Sequence, residues 1–506
     1  MMRILPLLGV FAACAACASS PAPFASATGG GSSVRAAGVS SLRPFVDSLI
    51  DSPDFRSANW GILVVDPVRG DTLYSRNADK LFMPASNMKL VTGATALAVL
   101  GPDYRWSTTV SARGAVQNGT LAGDLVLRGT GDPSASAHMQ KGDALAPLRA
   151  IADSLRAHGV TRVAGRLSAA PSVFTDSPIG YGWAADDLDA SYSAGVDALY
   201  FNEGFTEVVV RSGSRAGDPV TAVTRPASTY PALLLRARTV GRLTASSSAA
   251  DSAAASAITV SQDSSRQGVL VAGTLAAGDS VVLELAFRDQ TTAYLRALRE
   301  ALTSRGITVT DAATDTMART EVLFTQLSPP LRDVFPFFEK PSQNQIGELL
   351  FKTIAREKTG AGRADSASRF VARQLIAWGA EPDGFAVHDG SGLSRHDYLT
   401  PRTIIHVLDA VRKDPNFKVM YDALPIAGVD GTIGNRMKNT PAQGNVHGKT
   451  GTLDKARSLS GYVTTADGRM LLFSALCNNY AVPTRRVDRV TDALSARLAS
   501  MRVDAP

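Results

Sequence analysis

The sequence predicts an α/β (α+β) fold in which an antiparallel sheet is flanked by helices and interrupted by a large β-rich insertion. Near the N-terminus, an apolar strand over 60–66 with a hairpin return leads into a helix that carries a serine and a lysine. Near the C-terminus, the glycine-punctuated segment 445–453 and the apolar segments 459–464 and 470–476 predict neighbouring antiparallel strands. Between these ends the pattern changes to many short strands. The two ends are therefore expected to form one domain.

Each further element follows from a local pattern. Apolar residues at helical spacing over 42–50 predict an amphipathic helix ahead of the first strand. The serine-bearing helix is expected to end near Gly101, and Asn118-Gly119 predicts a tight hairpin turn. Helical patterns then recur along the chain, over 145–155, 294–302, 343–357, 366–378, 401–413 and 487–498.

The chain has 506 residues, which is too long for one compact core, so two or three domains are expected. Shifts in composition and pattern set the expected divisions. These are a signal segment at 1–18, a flexible linker at 19–40, the first part of the main, catalytic domain at 41–105, an inserted β-rich region at 106–322 with a smaller subdomain nested at about 206–288, and the second part of the main domain at 323–506.

The first residues predict export. One positive charge at Arg3 precedes a short apolar run, which is typical of a secretory signal and too short to span a membrane as a mature anchor. The triplet Ala16-Cys17-Ala18 fits a small-residue cleavage site. A lipoprotein signal with an acylated cysteine at Cys14 or Cys17 fits as well, so both processing routes stay open. The mature chain is expected in the periplasm or cell envelope.

Composition excludes several classes of function. The 52 basic and 46 acidic side chains give a net charge of +6, with no basic run or aromatic-interleaved patch that would indicate nucleic-acid binding. A weak attraction to an anionic cell-wall polymer is less favoured than an ordinary solvated surface. The six histidines show no H-E-x-x-H spacing, so a zinc peptidase is not expected. No metal or cofactor is expected. Cys477, on an apolar strand, is expected to be a buried packing residue.

One serine in the chain stands three residues ahead of a lysine: Ser86, with Lys89. A serine hydroxyl is a poor nucleophile at neutral pH and needs a base beside it. On a helix these two positions share a face, and Pro84 favours a helix start there. A lysine acts as a base only when burial or a second cation lowers its pKa. A second cation is therefore expected near the pair.

Ser86 and Lys89 form an S-x-x-K motif. In serine enzymes that carry this motif, two further motifs accompany it: S-x-N and K-T-G. The S-x-N triplets starting at Ser57 and Ser75 precede Ser86 and flank the first strand, where turn residues are expected anyway. The third, Ser342 to Asn344, opens an apolar-periodic helix and is the favoured one. The K-T-G triplet at Lys358 ends that same helix, so its glycine is interpreted as an ordinary helix C-cap.

The second K-T-G triplet begins at Lys449 and lies in the extended segment that predicts a strand at the edge of the sheet. Lys449 is thus the candidate second cation. The small residues Gly451 and Thr452 would let a substrate backbone lie against that edge.

With these motifs in this order, the chain resembles the D-alanyl-D-alanine carboxypeptidase/endopeptidases of the class C low-molecular-mass penicillin-binding proteins. The resemblance runs from about residue 42 to residue 500, and the long separation of Ser86 from Ser342 is typical of that class. It implies a penicillin-binding/serine β-lactamase-like transpeptidase domain. The stretches that carry it, beyond the three motifs, are 389–395, 424–432, 447–453, 458–462, and Trp183 with Asp186.

The resemblance implies a role for each motif residue. Ser86 would attack the carbonyl of a D-Ala-D-Ala bond, or of a D-amino acid cross-link, and form an acyl-enzyme. Lys89, held neutral by burial and by Lys449, would take the proton, and Ser342 would pass it to the leaving amine. Asn344 would hold Lys89 and the amide on the acyl side of the substrate.

The resemblance also implies how the substrate is bound. Backbone N–H groups of Ser86 and Thr452 would form an oxyanion hole. Lys449, with the hydroxyls of Thr450 and Thr452, would receive the terminal carboxylate. Peptidoglycan peptides are therefore the expected substrates, and β-lactam antibiotics, whose carboxylate and strained amide resemble them, the expected covalent inhibitors.

Three residues, Trp183, Asp186 and Arg395, match family positions that line a pocket for the diamino-acid side chain of the stem peptide. Asp186 would pair with the side-chain ammonium, and Leu393 and Leu453 would contact its aliphatic part. Trp183 and Arg395 would complete the pocket. An acid in a stretch such as 185–189 is otherwise an ordinary loop residue.

Two other functions are compatible with parts of the sequence. A β-lactamase or esterase could use the same serine–lysine pair, although the large insertion argues against it. A non-catalytic wall-binding scaffold is disfavoured because every motif residue is intact. His388-Asp389 is interpreted as a turn and not as part of a Ser-His-Asp triad, because no G-x-S-x-G elbow accompanies it.

Overall fold

A computed structural model describes residues 38–242, 257–262, 268–313 and 319–503. The expected signal segment, nearly all of the linker, and Cys14 and Cys17 lie outside the described residues. Within those ranges, no helix combines the length and apolar character that crossing a bilayer requires.

The central element is a five-stranded antiparallel sheet that joins the two ends of the chain. Its strands are β1 (Asn59–Asp66), β2 (Asp71–Arg76), β19 (His447–Leu453), β20 (Ala456–Thr464) and β21 (Met470–Asn478). Their order in the sheet is β19-β20-β21-β1-β2. Strand β1 pairs with β21, so that Trp60 lies opposite Cys477 and Val64 opposite Phe473.

Helices cover both faces of this sheet. For this reason β21 is buried along nearly its whole length and does not alternate between apolar and polar residues. On one face, the N-terminal and C-terminal helices share a core with the sheet; Val46 and Leu494 lie in it. On the other face, a second core surrounds the serine-bearing helix and includes Leu90, Phe351 and Leu472. The helices of the main domain are α1 (Leu42–Ile50), α2 (Met88–Leu100), α5 (Leu331–Glu339), α6 (Asn344–Thr359), α7 (Ala364–Ala377), α8 (Pro401–Lys413), α9 (Phe417–Ala423) and α10 (Thr484–Ser500). The short strands β17 (Phe385–Ala386) and β18 (Tyr398–Leu399) form a separate pair.

Between α2 and α5, the chain builds sheets that are separate from the central one. Two four-stranded sheets have the orders β16-β3-β6-β8 and β15-β7-β5-β4. Helices α3 (Ala146–Ala157) and α4 (Gln290–Ser304) pack in the same core. The strands are β3 (Ser107–Arg113), β4 (Val116–Gln117), β5 (Thr120–Leu121), β6 (Asp124–Gly129), β7 (Arg162–Val163), β8 (Leu167–Ala169), β15 (Thr308–Val309) and β16 (Thr320–Leu327).

A further pair of three-stranded sheets has its own small valine- and leucine-rich core. Their orders are β10-β9-β14 and β11-β13-β12. The strands are β9 (Phe205–Arg211), β10 (Thr221–Arg225), β11 (Leu233–Val240), β12 (Ile258–Gln262), β13 (Val269–Ala276) and β14 (Ser280–Ala286). This arrangement is compatible with an insertion at 106–322 and a nested subdomain near 206–288, and those boundaries stay predictions.

The predicted fold class is confirmed, and most predicted elements are present. Asn118-Gly119 does turn between β4 and β5. Gly360, the glycine of the first K-T-G triplet, is the C-cap of α6 with φ +82°, as its interpretation as an ordinary cap requires. Helices α5 and α9 were not expected from the pattern. Helix α5 contains Pro336, which normally signals a helix end, and α9 is only seven residues long.

Replacing Leu494 by alanine should destabilise the protein by about 2–5 kcal/mol, because the side chain is 1% exposed between α10 and the sheet. Chemical denaturation would measure the loss of unfolding free energy. Arg489→Ala, on the exposed side of the same helix, is the matched control and should change stability little. Equal effects of the two substitutions would contradict this account of the core.

Candidate active site

Ser86 lies on a tight turn immediately ahead of α2. It is the middle residue of a 3-10 turn, Ala85–Asn87, rather than part of the first α-helical turn that the sequence predicted. Ala85 has φ +48°, a conformation that alanine rarely adopts. The turn is held against β19, because the Asn87 side-chain amide donates to the carbonyl of Lys449 at 2.8 Å. Ser86 is therefore fixed to the sheet edge by a contact between two residues that lie far apart in the sequence.

Two glycines make room for this turn. A Cβ on Gly392 would lie 1.9 Å from the Ala85 carbonyl oxygen, and Gly392 has φ +80°. A Cβ on Gly451 would lie 2.4 Å from the carbonyl oxygen of Pro84 and 2.2 Å from Ser458 Oγ. From the sequence, Gly451 was expected to leave space for a substrate backbone. The structure gives a different reason for a glycine at this position, because the serine turn occupies the space that a larger side chain would need.

Lys89 has three polar neighbours. Its Nζ lies 2.9 Å from Ser86 Oγ, and it donates to Asn344 Oδ1 at 2.6 Å and to the Ser391 carbonyl at 2.7 Å. The Asn344 amide is oriented by its own bond to the Tyr192 carbonyl, at 2.7 Å, so that its oxygen faces the lysine. Both oxygens can only accept. A neutral lysine therefore places its two N–H groups there and directs its lone pair at the Ser86 hydroxyl.

The surroundings of Lys89 favour this neutral form. Its side chain is fully buried, and the desolvation, followed by the positive charge of Lys449, lowers its pKa from 10.5 to about 7. The carboxyls of Glu339, Asp389 and Glu348 act in the opposite direction. A base with a pKa near neutrality is suited to taking a proton from serine at physiological pH.

Lys449 and Ser342 form the second half of the site. Lys449 Nζ donates to Ser342 Oγ at 2.7 Å and to the Thr450 carbonyl at 3.3 Å. Ser342 has φ +64° and lies two residues before α6 rather than within it. Burial lowers the pKa of Lys449 to about 8, while the nearby Glu339 carboxyl raises it. The five predicted catalytic residues thus lie together in two hydrogen-bonded groups.

Glu339 is a buried carboxyl that the sequence analysis did not identify. Its side chain is inaccessible to solvent, and neither carboxyl oxygen has a hydrogen-bond partner among the described residues. One oxygen would lie 3.1 Å from a Cβ on Gly93, one turn beyond Lys89 on α2. Burial raises the pKa of Glu339 to about 7, and Lys449 and then Lys89 act against that rise. Its position three residues before Ser342 gave no sequence signal.

A second group of buried acids supports the loop behind Lys89. Glu348 accepts from the backbone N–H groups of Gly390 and Ser391, and so positions the Ser391 carbonyl that Lys89 uses. Asp389 accepts from the N–H groups of Ser391 and two further loop residues. Burial, with the charge of Asp389, raises the pKa of Glu348 to about 8. Glu348 lies four residues after Asn344 on α6, a spacing that could have identified it.

Three of the five predicted pocket residues, Trp183, Leu393 and Arg395, belong to this loop or bond to it. The Trp183 indole donates to Asp389 at 2.9 Å, and Leu393 is buried in the same loop. Asp186 and Arg395 are exposed, and the Arg395 N–H bonds the Gly182 carbonyl at 3.4 Å. Both charges act on the pKa of the Tyr192 hydroxyl: Asp186 raises it and Arg395 lowers it.

Leu453 is the fifth pocket residue and ends β19 partly exposed. On the same strand, Thr450 is buried and donates to the Thr432 hydroxyl at 2.7 Å, whereas Thr452 is exposed. Thr452 and Leu453 thus occupy the accessible end of the strand that carries Lys449.

The described residues contain no cluster of three or more side chains that could ligate a metal ion. The His388 ring lies against Tyr181 and His396, with ring centroids 5.2 and 6.2 Å away. Asp389 bonds backbone N–H groups, as the turn interpretation expects. The arrangement as a whole can carry out acyl transfer through a serine whose base is a lysine.

Comparison with known proteins supports the same conclusion. The family model described as D-Ala-D-Ala carboxypeptidase 3 (S13) matches residues 42–501. A D-alanyl-D-alanine carboxypeptidase from Actinomadura sp. (strain R39) is 33% identical over 478 residues, which cover 91% of this chain and 85% of the relative. The carboxypeptidase DacB of Haemophilus influenzae is 26% identical over 84% of this chain and 86% of its own length.

Among solved structures, penicillin binding protein 4 (dacB) from Haemophilus influenzae superimposes with a TM-score of 0.74. The match has 24% identity and covers 90% of this chain and 99% of that one. At that identity the likeness establishes the fold, which is therefore that of a penicillin-binding protein. With the family model matching nearly the whole described chain, the protein belongs to the D-Ala-D-Ala carboxypeptidase 3 (S13) family.

Proposed function

We propose that the protein is a serine-type D-Ala-D-Ala carboxypeptidase and endopeptidase that cleaves peptidoglycan stem peptides and cross-links. The observation that carries the proposal is the set of three contacts around Lys89. Two obligatory acceptors occupy its N–H groups, which leaves the lone pair for the Ser86 hydroxyl at 2.9 Å. A lysine with a pKa of about 7 at that place is a general base, and the serine beside it a nucleophile.

Acylation begins when Ser86 Oγ attacks the carbonyl carbon of the D-Ala-D-Ala bond and its proton passes to Lys89. Negative charge develops on the carbonyl oxygen, where the N–H groups of Ser86 and Thr452 stabilise it; such donors are each worth about 3 kcal/mol in other enzymes. The carbon–nitrogen bond then breaks. The leaving amine takes a proton from Ser342, which Lys449 replenishes through the bond between them. The proton that Lys89 took from Ser86 passes to Lys449 in turn, so that Lys89 is neutral again.

Deacylation uses water in place of the leaving amine. Lys89 takes a proton from the water as it attacks the ester carbonyl, and returns that proton to Ser86 Oγ as the ester bond breaks. The products are the shortened peptide acid and free enzyme. A β-lactam forms the same ester, but its leaving nitrogen remains tethered to the acyl group, so the adduct persists longer.

The two sides of the site bind different parts of the substrate and so orient it. Lys449 and the hydroxyls of Thr450 and Thr452 receive the terminal carboxylate. Asp186 pairs with the ammonium of the diamino-acid side chain, whose aliphatic part contacts Leu393 and Leu453. Trp183 and Arg395 line the same pocket, where Trp183 is fixed by its bond to Asp389.

The same proposal places the mature protein in the cell envelope, where its substrate occurs. The N-terminal segment would direct export, and the chain would then be either cleaved near Ala18 or acylated at Cys14 or Cys17.

Incubation with benzylpenicillin should add the mass of the drug to the intact protein, with the adduct on Ser86. Ser86→Ala should form no adduct. Ser57→Ala, at an exposed serine in a rejected S-x-N triplet, should react like the wild type. Mass spectrometry of intact protein and of its peptides checks all three. Rapid turnover of the drug would instead indicate a β-lactamase, and an unreactive wild type would indicate a scaffold.

Two further assays measure the peptidase activities separately. Release of D-alanine from a pentapeptide measures carboxypeptidase activity, and cleavage of cross-linked fragments measures endopeptidase activity.

The rate of Ser86 acylation should rise with pH and level off above about pH 7, because Lys89 must lose its proton to act as a base and its pKa is about 7. Glu339→Gln should move the midpoint to lower pH, since an ionised Glu339 raises the pKa of both lysines and glutamine cannot ionise. Stopped-flow measurement of the acylation rate across roughly pH 5–9, the range in which these groups are expected to titrate, gives the midpoint. Glu357→Gln, an exposed change on α6, should leave the midpoint in place; a midpoint that does not move in Glu339→Gln contradicts the assigned coupling.

Asp186→Asn should raise KM roughly two- to fivefold for peptides with a free side-chain ammonium at the third residue, the size expected for a partly exposed ion pair. Peptides with an uncharged aliphatic third residue should be unaffected. Steady-state kinetics on both peptides measure this preference. Asp187→Asn, at the neighbouring acid, should leave the preference between the two peptides unchanged. An unaltered preference in Asp186→Asn would remove Asp186 from the pocket.

A further inference from the structure

Arg457 contacts the hydroxyl that faces the proposed carboxylate site. It lies on β20 directly opposite Thr452 of β19 in the antiparallel register. One terminal nitrogen of its guanidinium donates to Thr452 Oγ1. The Arg457 side chain is 18% exposed, so this contact sits at the edge of the cleft and is partly shielded from water.

The guanidinium is held in place from the opposite side. Arg457 Nε and Nη2 donate to Asp488 Oδ1 at 3.2 and 2.9 Å, and Nη2 lies 2.8 Å from Asp488 Oδ2. Asp488 belongs to α10 and also pairs with Arg436 at 3.2 Å. Such forked pairing fixes the plane of the guanidinium and leaves the other nitrogen directed at Thr452.

The chemistry of these groups determines the direction of the hydrogen bond. A guanidinium only donates, so the Thr452 oxygen must accept. The hydroxyl then keeps its own proton for a second partner on its exposed side. Thr450 differs, because its hydroxyl already donates to Thr432 at 2.7 Å. Thr452 is therefore the strand threonine whose proton an incoming acceptor can take up directly, whereas Thr450 must first release Thr432.

We propose that Arg457 is a positioning residue that makes the Thr452 hydroxyl a fixed donor and so sets the preference for substrates with a free carboxylate beside the scissile bond. The inference rests on the proposed function, since it assigns the carboxylate to this edge of β19. Asp488 balances the charge of Arg457, so the effect is transmitted through the oriented hydroxyl. A neutral acceptor at the same place gains much less, because hydrogen bonds to charged groups are the stronger ones.

The test uses two thioester substrates that differ in one group, a free carboxylate or its methyl ester at the leaving-group end. Arg457→Gln should raise KM for the carboxylate substrate about tenfold, the size of one hydrogen bond to a charged group, and leave the ester substrate nearly unchanged. Thr452→Val should give the same selective loss. In the double variant the two losses should not add, because both remove one interaction.

Arg436→Gln is the matched control, since it breaks a pairing to the same Asp488 without touching Thr452. It should leave the ratio of the two substrates unaltered. Arg457→Lys keeps the charge but cannot serve Asp488 and Thr452 together, and should fall between wild type and Arg457→Gln. It also serves as the informative variant should Arg457→Gln fail to fold in thermal denaturation.

Equal losses on both substrates would overturn the inference and make Arg457 a structural residue. Additive losses in the double variant would overturn the route through Thr452. A wild-type protein that cleaves neither substrate and forms no penicillin adduct would instead refute the proposed function, which is a distinguishable failure.

Discussion

The burial of two lysines in one small cleft is the constraint on which the site depends. Removing an ammonium from water is costly, and the cost is greater when a second positive charge is close by. Lys89 and Lys449 are both fully buried, and the charge of Lys449 adds to the desolvation that lowers the pKa of Lys89. A single buried carboxyl, Glu339, acts on both. The reactivity of Ser86 follows from this balance, because a fully protonated Lys89 would have no lone pair to offer it.

The rest of the fold keeps these groups in place against their mutual repulsion. The serine turn is tied to β19 by the Asn87 amide and to β21 by Asn478, whose side chain accepts from the Met83 N–H at 2.8 Å. The close packing at Gly392 and Gly451 leaves no space for the turn to relax. Ala85 keeps its unfavourable φ because these contacts from distant parts of the chain determine it.

The sequence alone was sufficient to identify site residues whose role depends on local spacing along the chain. Ser86 and Lys89 are three residues apart, and the choice between two K-T-G triplets followed from whether each lay on a helix or a strand. It was insufficient where function depends on tertiary contact. Glu339 and Arg457 belong to no motif, and each matters because of a residue from another element. The proline in α5 also masked the helix that carries Glu339.

The chain between α2 and α5 also contributes to the site. The Tyr192 carbonyl, from the chain between β8 and β9, fixes the Asn344 amide, and its neighbours Ser191 and Ala194 accept from Gln345. Without that carbonyl, the Asn344 amide would be held less firmly, and an amide nitrogen that faced Lys89 would compete for the lone pair that Ser86 requires. Because the Tyr192 carbonyl sets the orientation of the Asn344 amide, the chain between α2 and α5 is part of the catalytic arrangement and not only an appendage to it.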